Sequence, residues 1–209
     1  MDPEQPADPS EPENPTDPTE PDVPTEPADP EEPTNPFEDL DSERYYYTPV
    51  LWAVANKITD GMDATHFAPM QNCTRGQVVT FLWRAVGSPE PTAAENPFTD
   101  VEEGRFYYKA VLWAVENGIT TGMTETTFEP NTTVPRGQFV TFLWRLEKDP
   151  THTESNPFTD VSDGRFYYNA VLWAAEQGIT TGMTNTTFEP AGGCTRGQVV
   201  TFLYRLLAE

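Results

Sequence analysis

Three arginines stand in near-identical motifs, Thr74-Arg75-Gly76-Gln77, Pro135-Arg136-Gly137-Gln138 and Thr195-Arg196-Gly197-Gln198. In the first and third copies the motif reads as a helix start, because a threonine followed three residues later by glutamine can form a capping box, and Pro135 is tolerable at the start of a helix in the second. A cation in the first helical turn faces the positive end of the macrodipole and costs about 0.3–1 kcal/mol. Arg75, Arg136 and Arg196 therefore call for a compensating anion, and two sources fit. Each arginine, with the first-turn amides and a flexible Gly76, Gly137 or Gly197, could form a pocket for a carboxylate-bearing ligand. Each could equally form an internal salt bridge to Asp39, Asp100, Asp160 or a nearby glutamate.

Aromatic rings supply the other candidate chemistry. Trp52, Trp113 and Trp173 recur at one position and could cover the faces of a pyranose ring; core packing is the competing reading. Trp83 and Trp144 are assigned to the core, and Arg84, Arg145 and Arg205 to the complement of a helix C-terminus. Catalytic groups are sparse. His66 and His152 are isolated and unrepeated, with no nucleophile in a recognisable motif, so the expectation is a non-enzyme without cofactor. No EF-hand spacing appears, and neither Cys73 nor Cys194 has a metal-ligand partner, so no metal is expected.

The elements that must position these residues repeat every sixty residues or so. The copies open at Asn35, Asn96 and Asn156, and the second and third match at 37 of 50 positions between Asn96–Arg145 and Asn156–Arg205. Each copy reads as helix, loop, helix. In the second, Phe106, Tyr107, Ala110, Val111, Ala114 and Val115 recur at helical spacing, and Gly118 suits a left-handed stop. Lys57 stands where Gly118 and Gly178 stand, so the first copy is expected to end its first helix differently. The next loop can turn at Gly122 and return Phe128 to the apolar face. The second helix, with Val78, Val79, Phe81, Leu82 and Trp83, is apolar nearly all round and suits burial among neighbours.

One copy cannot bury enough to offset its ordering entropy, at about 1–2 kcal/mol per backbone residue. Three copies can share a core. The expected fold is all-α, a pseudo-threefold domain with one lobe from each helix-loop-helix repeat, assigned to 37–91, 92–150 and 151–209. Residues 1–36 read instead as a disordered linker, with proline at every third position, twelve carboxylates and no Lys or Arg. A polyproline II spacer of that length would span about 110 Å.

Those carboxylates account for −12 of the net charge of −22, leaving −10 on the folded part. This argues against nucleic acid or an anionic membrane as partner. No apolar run reaches the ~20 residues of a membrane span, and any secretion signal is expected upstream of this sequence. Cys73 and Cys194 occupy equivalent places in copies one and three. A bridge between them would require those copies to converge there.

The sequence of Phe-x-Asp, an aromatic-led helix, Gly-Ile-x-x-Gly, Phe-x-Pro and Thr-Arg-Gly-Gln, in three copies across residues 37–209, closely resembles the surface-layer-homology family. The resemblance implies a three-lobed α-helical domain on the cell surface that binds secondary cell-wall polysaccharide, often pyruvylated, in grooves between lobes. It also implies a cargo domain upstream of the anchor. It carries the binding role to Arg75, Arg136 and Arg196, their glycines, and the aspartates Asp39, Asp100 and Asp160. The family's acid at the motif's last position is an amide here. Pro135 replaces the capping threonine in the second copy and Lys57 stands in place of glycine in the first, so Arg196 ranks first among the three. A protein-binding module is the alternative function.

Overall fold

The computed structural model describes residues 35–92 and 95–208. The segment read as an acidic linker lies, up to residue 34, outside the described residues. Six helices follow in order: α1 (Tyr47–Ala55), α2 (Arg75–Ala85), α3 (Tyr108–Glu116), α4 (Arg136–Leu146), α5 (Tyr168–Glu176) and α6 (Arg196–Leu207). The described residues are all-α apart from three isolated bridges.

The lobes are not single repeats, as expected, but are built between repeats. Helix α2 packs on α3, α4 on α5 and α6 on α1, while α2 also touches α6. The second helix of each copy thus pairs with the first helix of the next, and the third copy returns to the first. A repeat in isolation lacks its own helical partner.

At the centre the backbone closes a ring. Cys73 N–H donates to Cys194, Cys194 to Val134 and Val134 to Cys73, at 2.8, 2.9 and 3.0 Å. The antiparallel bridges 72–195, 74–133 and 135–193 surround it. This is the pseudo-threefold axis. Cys73 and Cys194 do converge here, as free buried thiols. Burial pushes the Cys73 thiol up to about 12 and raises Cys194 further, so both are small core residues at neutral pH.

The first helices start two residues into their aromatic run, at Tyr47, Tyr108 and Tyr168. Tyr46, Tyr107 and Tyr167 hold the N-cap position without any side-chain cap bond. At the other end all three stop alike. The N–H of Ile58, Ile119 and Ile179 returns to Ala53, Ala114 and Ala174, closing a Schellman-type turn around a left-handed residue. That residue is Gly118 (φ 70°), Gly178 (φ 69°) or Lys57 (φ 58°). The expectation of a different ending in the first repeat is therefore corrected, because Lys57 is driven into the same geometry by its neighbours. A side chain in that region costs about 1 kcal/mol more than glycine. Lys57→Gly should raise the unfolding free energy by about 0.5–1 kcal/mol in urea denaturation, with no change in helix content.

Candidate functional site

The three motif arginines sit at the joints between repeats. Each is the first residue of its second helix and points into the Phe-x-Pro loop of the following copy. Arg75 Nε donates to the Phe128 carbonyl at 2.8 Å, Arg136 to Phe188 at 2.9 Å and Arg196 to Phe67 at 2.7 Å. Each guanidinium carbon lies 4.5–4.6 Å from the centroid of that same phenylalanine ring. Side chains held this way are only 1–2% exposed. Burial lowers the pKa of all three, Arg75 to about 10, and the carboxylates of the receiving loops act against it; the arginines stay charged at neutral pH.

The first-turn amides, expected to face a ligand, are also used at the joints. Arg75 N–H donates to Thr132 and Gly76 to Pro130; Arg136 to Gly192 and Gly137 to Pro190; Arg196 to Gln71 and Gly197 to Pro69. The third amide is capped by Thr74 or Thr195, or donates to Pro135. No first-turn donor is left for an anion. The pocket expected at Arg75, Arg136 and Arg196 is thus filled by the next repeat, and the internal salt bridge is not formed either. Backbone carbonyls and ring faces take the place of a counter-ion.

Gly76, Gly137 and Gly197 are needed for close approach, not for flexibility. A Cβ at these positions would lie 2.8–3.0 Å from the ring of Tyr107, Tyr167 or Tyr46 in the next copy. Asp39, Asp100 and Asp160 work inside their own repeats. Their carboxylates accept from the amides of Phe67 and Ala68, Phe128 and Glu129, and Phe188 and Glu189. Ala68, Glu129 and Glu189 all have φ of 58°, so each aspartate clamps a left-handed turn and presents the phenylalanine carbonyl to the incoming arginine.

The tryptophans do not join this arrangement. Trp113 and Trp173 are buried in the core, and Trp52 is half-buried with its edge against Tyr204, 5.6 Å between centroids. Trp173 still borders a surface hollow with Arg205 and Gln177. Trp83 and Trp144, assigned to the core, pack against it partly buried and donate Nε1–H to the carbonyls of Pro89 and Pro150. Arg84, Arg145 and Arg205 reach the carbonyls of Ile58, Ile119 and Ile179, holding each repeat's own loop.

One feature escaped the sequence reading. Tyr45, Phe106 and Phe166 are 54–63% exposed. Each stands edge-on to the tyrosine that packs against the preceding repeat's glycine, about 5 Å between centroids. Beside them Arg44, Arg105 and Arg165 are exposed as well. Arg44 pairs with Asp41 at 3.4 Å and Arg105 with Glu102 at 3.2 Å. Ser162 stands at the corresponding place in the third copy, and Arg165 has no ion-pair partner among the described residues. The signal was present in the sequence as Arg-aromatic-Tyr-Tyr in all three copies. It was absorbed into the helical periodicity, which counted Phe106 with Ala110 and Val111 although the helix begins at Tyr108.

Comparison with known proteins matches the family model of the S-layer homology domain at residues 36–79, 97–140 and 157–200. An amylopullulanase of Thermoanaerobacterium thermosulfurigenes is 36% identical over 66% of the chain, and an endoglucanase of a Bacillus species 32% over 52%. A cellulosome-anchoring protein of Acetivibrio thermocellus is 24% identical over 68%. The matched stretch spans 7%, 11% and 33% of those proteins respectively.

If the arginines hold the joints, removing one should loosen the whole ring. Arg196→Met keeps the apolar stem but leaves the Phe67 carbonyl unpaired, and should lower the unfolding free energy by about 2–4 kcal/mol. Equilibrium denaturation in urea, followed by tryptophan fluorescence, checks this.

Proposed function

Since the chain belongs to the S-layer homology domain family, we propose that it anchors a secreted protein to the cell surface by binding the anionic secondary polysaccharide linked to peptidoglycan. The reading makes this stretch a non-catalytic module. The enzymes among its relatives share only a small fraction of their length with it, as expected of an anchor joined to varied cargo. No helix among the described residues is long and apolar enough to cross a membrane, so attachment to a wall polymer would be peripheral.

The observation that carries the reading is the exposed cation and aromatic ring beside every inter-repeat joint. A glycan needs ring faces to lie on and donors to fix its substituents. Tyr45, Phe106 and Phe166 offer the faces, while Arg44, Arg105 and Arg165 offer forked donors for a carboxylate such as a pyruvyl ketal. The folded part carries −10 overall, so an acidic polymer would be attracted only where such cations stand clear of it. In this reading Arg75, Arg136 and Arg196 act beneath the surface. They hold the joint that shapes the groove, and they add positive potential without touching sugar. Asp39, Asp100 and Asp160 fix the loops they grip.

The three grooves should not be equal. A ligand carboxylate must displace Asp41 or Glu102 to reach Arg44 or Arg105, whereas Arg165 has no ion-pair partner among the described residues. Isolated wall glycan, native and depyruvylated, titrated into the full chain provides the test. Arg165→Ala should weaken native glycan at least tenfold, about 1.4 kcal/mol, with smaller losses for Arg44→Ala and Arg105→Ala. The depyruvylated glycan should bind the parent at least as weakly as the native glycan binds Arg165→Ala. Equal affinity for both glycans would remove the acidic substituent from the reading.

A further inference from the structure

The two linkers between repeats are equivalent in position but differ in what fills them. In both, a tryptophan near the end of the preceding helix donates to a proline carbonyl at 2.7 Å, Trp83 to Pro89 and Trp144 to Pro150. In the first linker the next residue is Glu90, and its carboxylate accepts from Lys109 Nζ at 2.7 Å. In the second, threonine and asparagine stand at those two places, Thr151 and Asn169. Neither can form an ion pair, and Asn169 is two atoms shorter than lysine. A hollow of about 350 Å³ lies at these two residues, lined by Trp144, Asp149, Pro150, Thr151, His152 and Asn169.

The lining has a definite chemistry. Trp144 gives a half-buried ring whose only polar hydrogen is already used. Asn169 and Thr151 are exposed and offer both donors and acceptors. His152, edge-on to Tyr168 at 6.3 Å, has Nδ1 buried without any hydrogen-bond partner. The hollow carries one carboxylate, Asp149, and no Lys or Arg, so it suits an uncharged hydroxyl- or amide-bearing ligand and not an anion. Its volume lies near the lower end for small-molecule sites, close to one sugar ring. A second hollow of similar size shares Pro150 and Thr151 on the other side of the linker, so a longer ligand has room to continue.

The geometry points to a second saccharide subsite, at the junction of repeats two and three, that takes a neutral pyranose stacked on Trp144. It rests on the anchoring reading only in that the partner is again a glycan. Its position is separate, because Trp144 lies seven residues along α4 from Gly137, whose neighbour Tyr167 marks the groove; that is about 10 Å of helix. One partner chain of wall polymer could thus meet an acidic contact in the groove and a neutral one beside it.

The probe is an uncharged β-linked N-acetylhexosamine tetrasaccharide, titrated into the full chain by calorimetry and tryptophan fluorescence. Saturable one-to-one binding is expected. Trp144→Ala should weaken it at least tenfold, and so should the double variant Thr151→Glu/Asn169→Lys, which rebuilds the ion pair of the first linker. The double variant changes only exposed residues, so its unfolding midpoint should match the parent, which separates lost binding from lost fold. Arg165→Ala should bind the tetrasaccharide like the parent. No saturation at millimolar probe, or unchanged affinity in the double variant, overturns the subsite. Loss of binding in Arg165→Ala places the saccharide in the groove and overturns it too. None of these outcomes alters the result with acidic wall glycan, which tests the groove by itself.

Discussion

The fold depends on a cation held away from water between two repeats. A guanidinium has five donors and a flat face, and the joint uses both, one N–H for a phenylalanine carbonyl and the face for that phenylalanine's ring. Hydrogen bonds from charged donors contribute about 1.5–3 kcal/mol and a desolvated cation–π contact about 2. These offset a desolvation that would otherwise exclude arginine from the interior. The fit is incomplete, since Nη2 of Arg75 and Arg196 remains buried without a partner. The arrangement holds because it is closed: the third joint returns to the first repeat across 129 residues. Ordering any repeat therefore requires its neighbours.

The same closure explains how Pro135 is tolerated. In repeats one and three the motif glutamine accepts from the N-cap amide, Gln77 from Thr74 and Gln198 from Thr195. Proline has no such amide. Gln138 is therefore free to accept from Arg75 Nη1 at 2.6 Å, across the first joint. A cap lost inside the second repeat becomes an added bond to the first. The three joints share one plan but differ in their hydrogen bonds, which gives the ring a defined order of copies.

Much of this was legible in the sequence. The three copies, the two helices in each, the capping boxes at Thr74 and Thr195 and the return of Phe128 to the core all follow from period and turn chemistry. The misplaced charge on Arg75, Arg136 and Arg196 was also legible as an anomaly. Its resolution was not. The partner is a backbone carbonyl fifty or more residues away, and carbonyls leave no mark in a sequence. Helix pairing between copies was hidden for a related reason, since apolar periodicity reports that a face is buried and not which face covers it. Phe106 was misread because an aromatic at helical spacing looks the same whether it enters the core or stands beside it.

Burying the motif arginines moves the question of function outward by one residue layer. Once a carbonyl, a ring and the first-turn amides are all engaged in the joint, the unpaired Nη2 donors of Arg75 and Arg196 are buried there. In the proposed reading, binding falls to what borders the joint, where the backbone is fixed and side chains are not. Arg44, Arg105 and Arg165 meet that condition, since each is carried on a turn whose following tyrosine is pinned against the preceding repeat. Rigid placement lowers the ordering cost of a long side chain, and a threefold scaffold presents it three times. In that reading, Ser162 in the place of Asp41 and Glu102 would set the third groove apart from the other two.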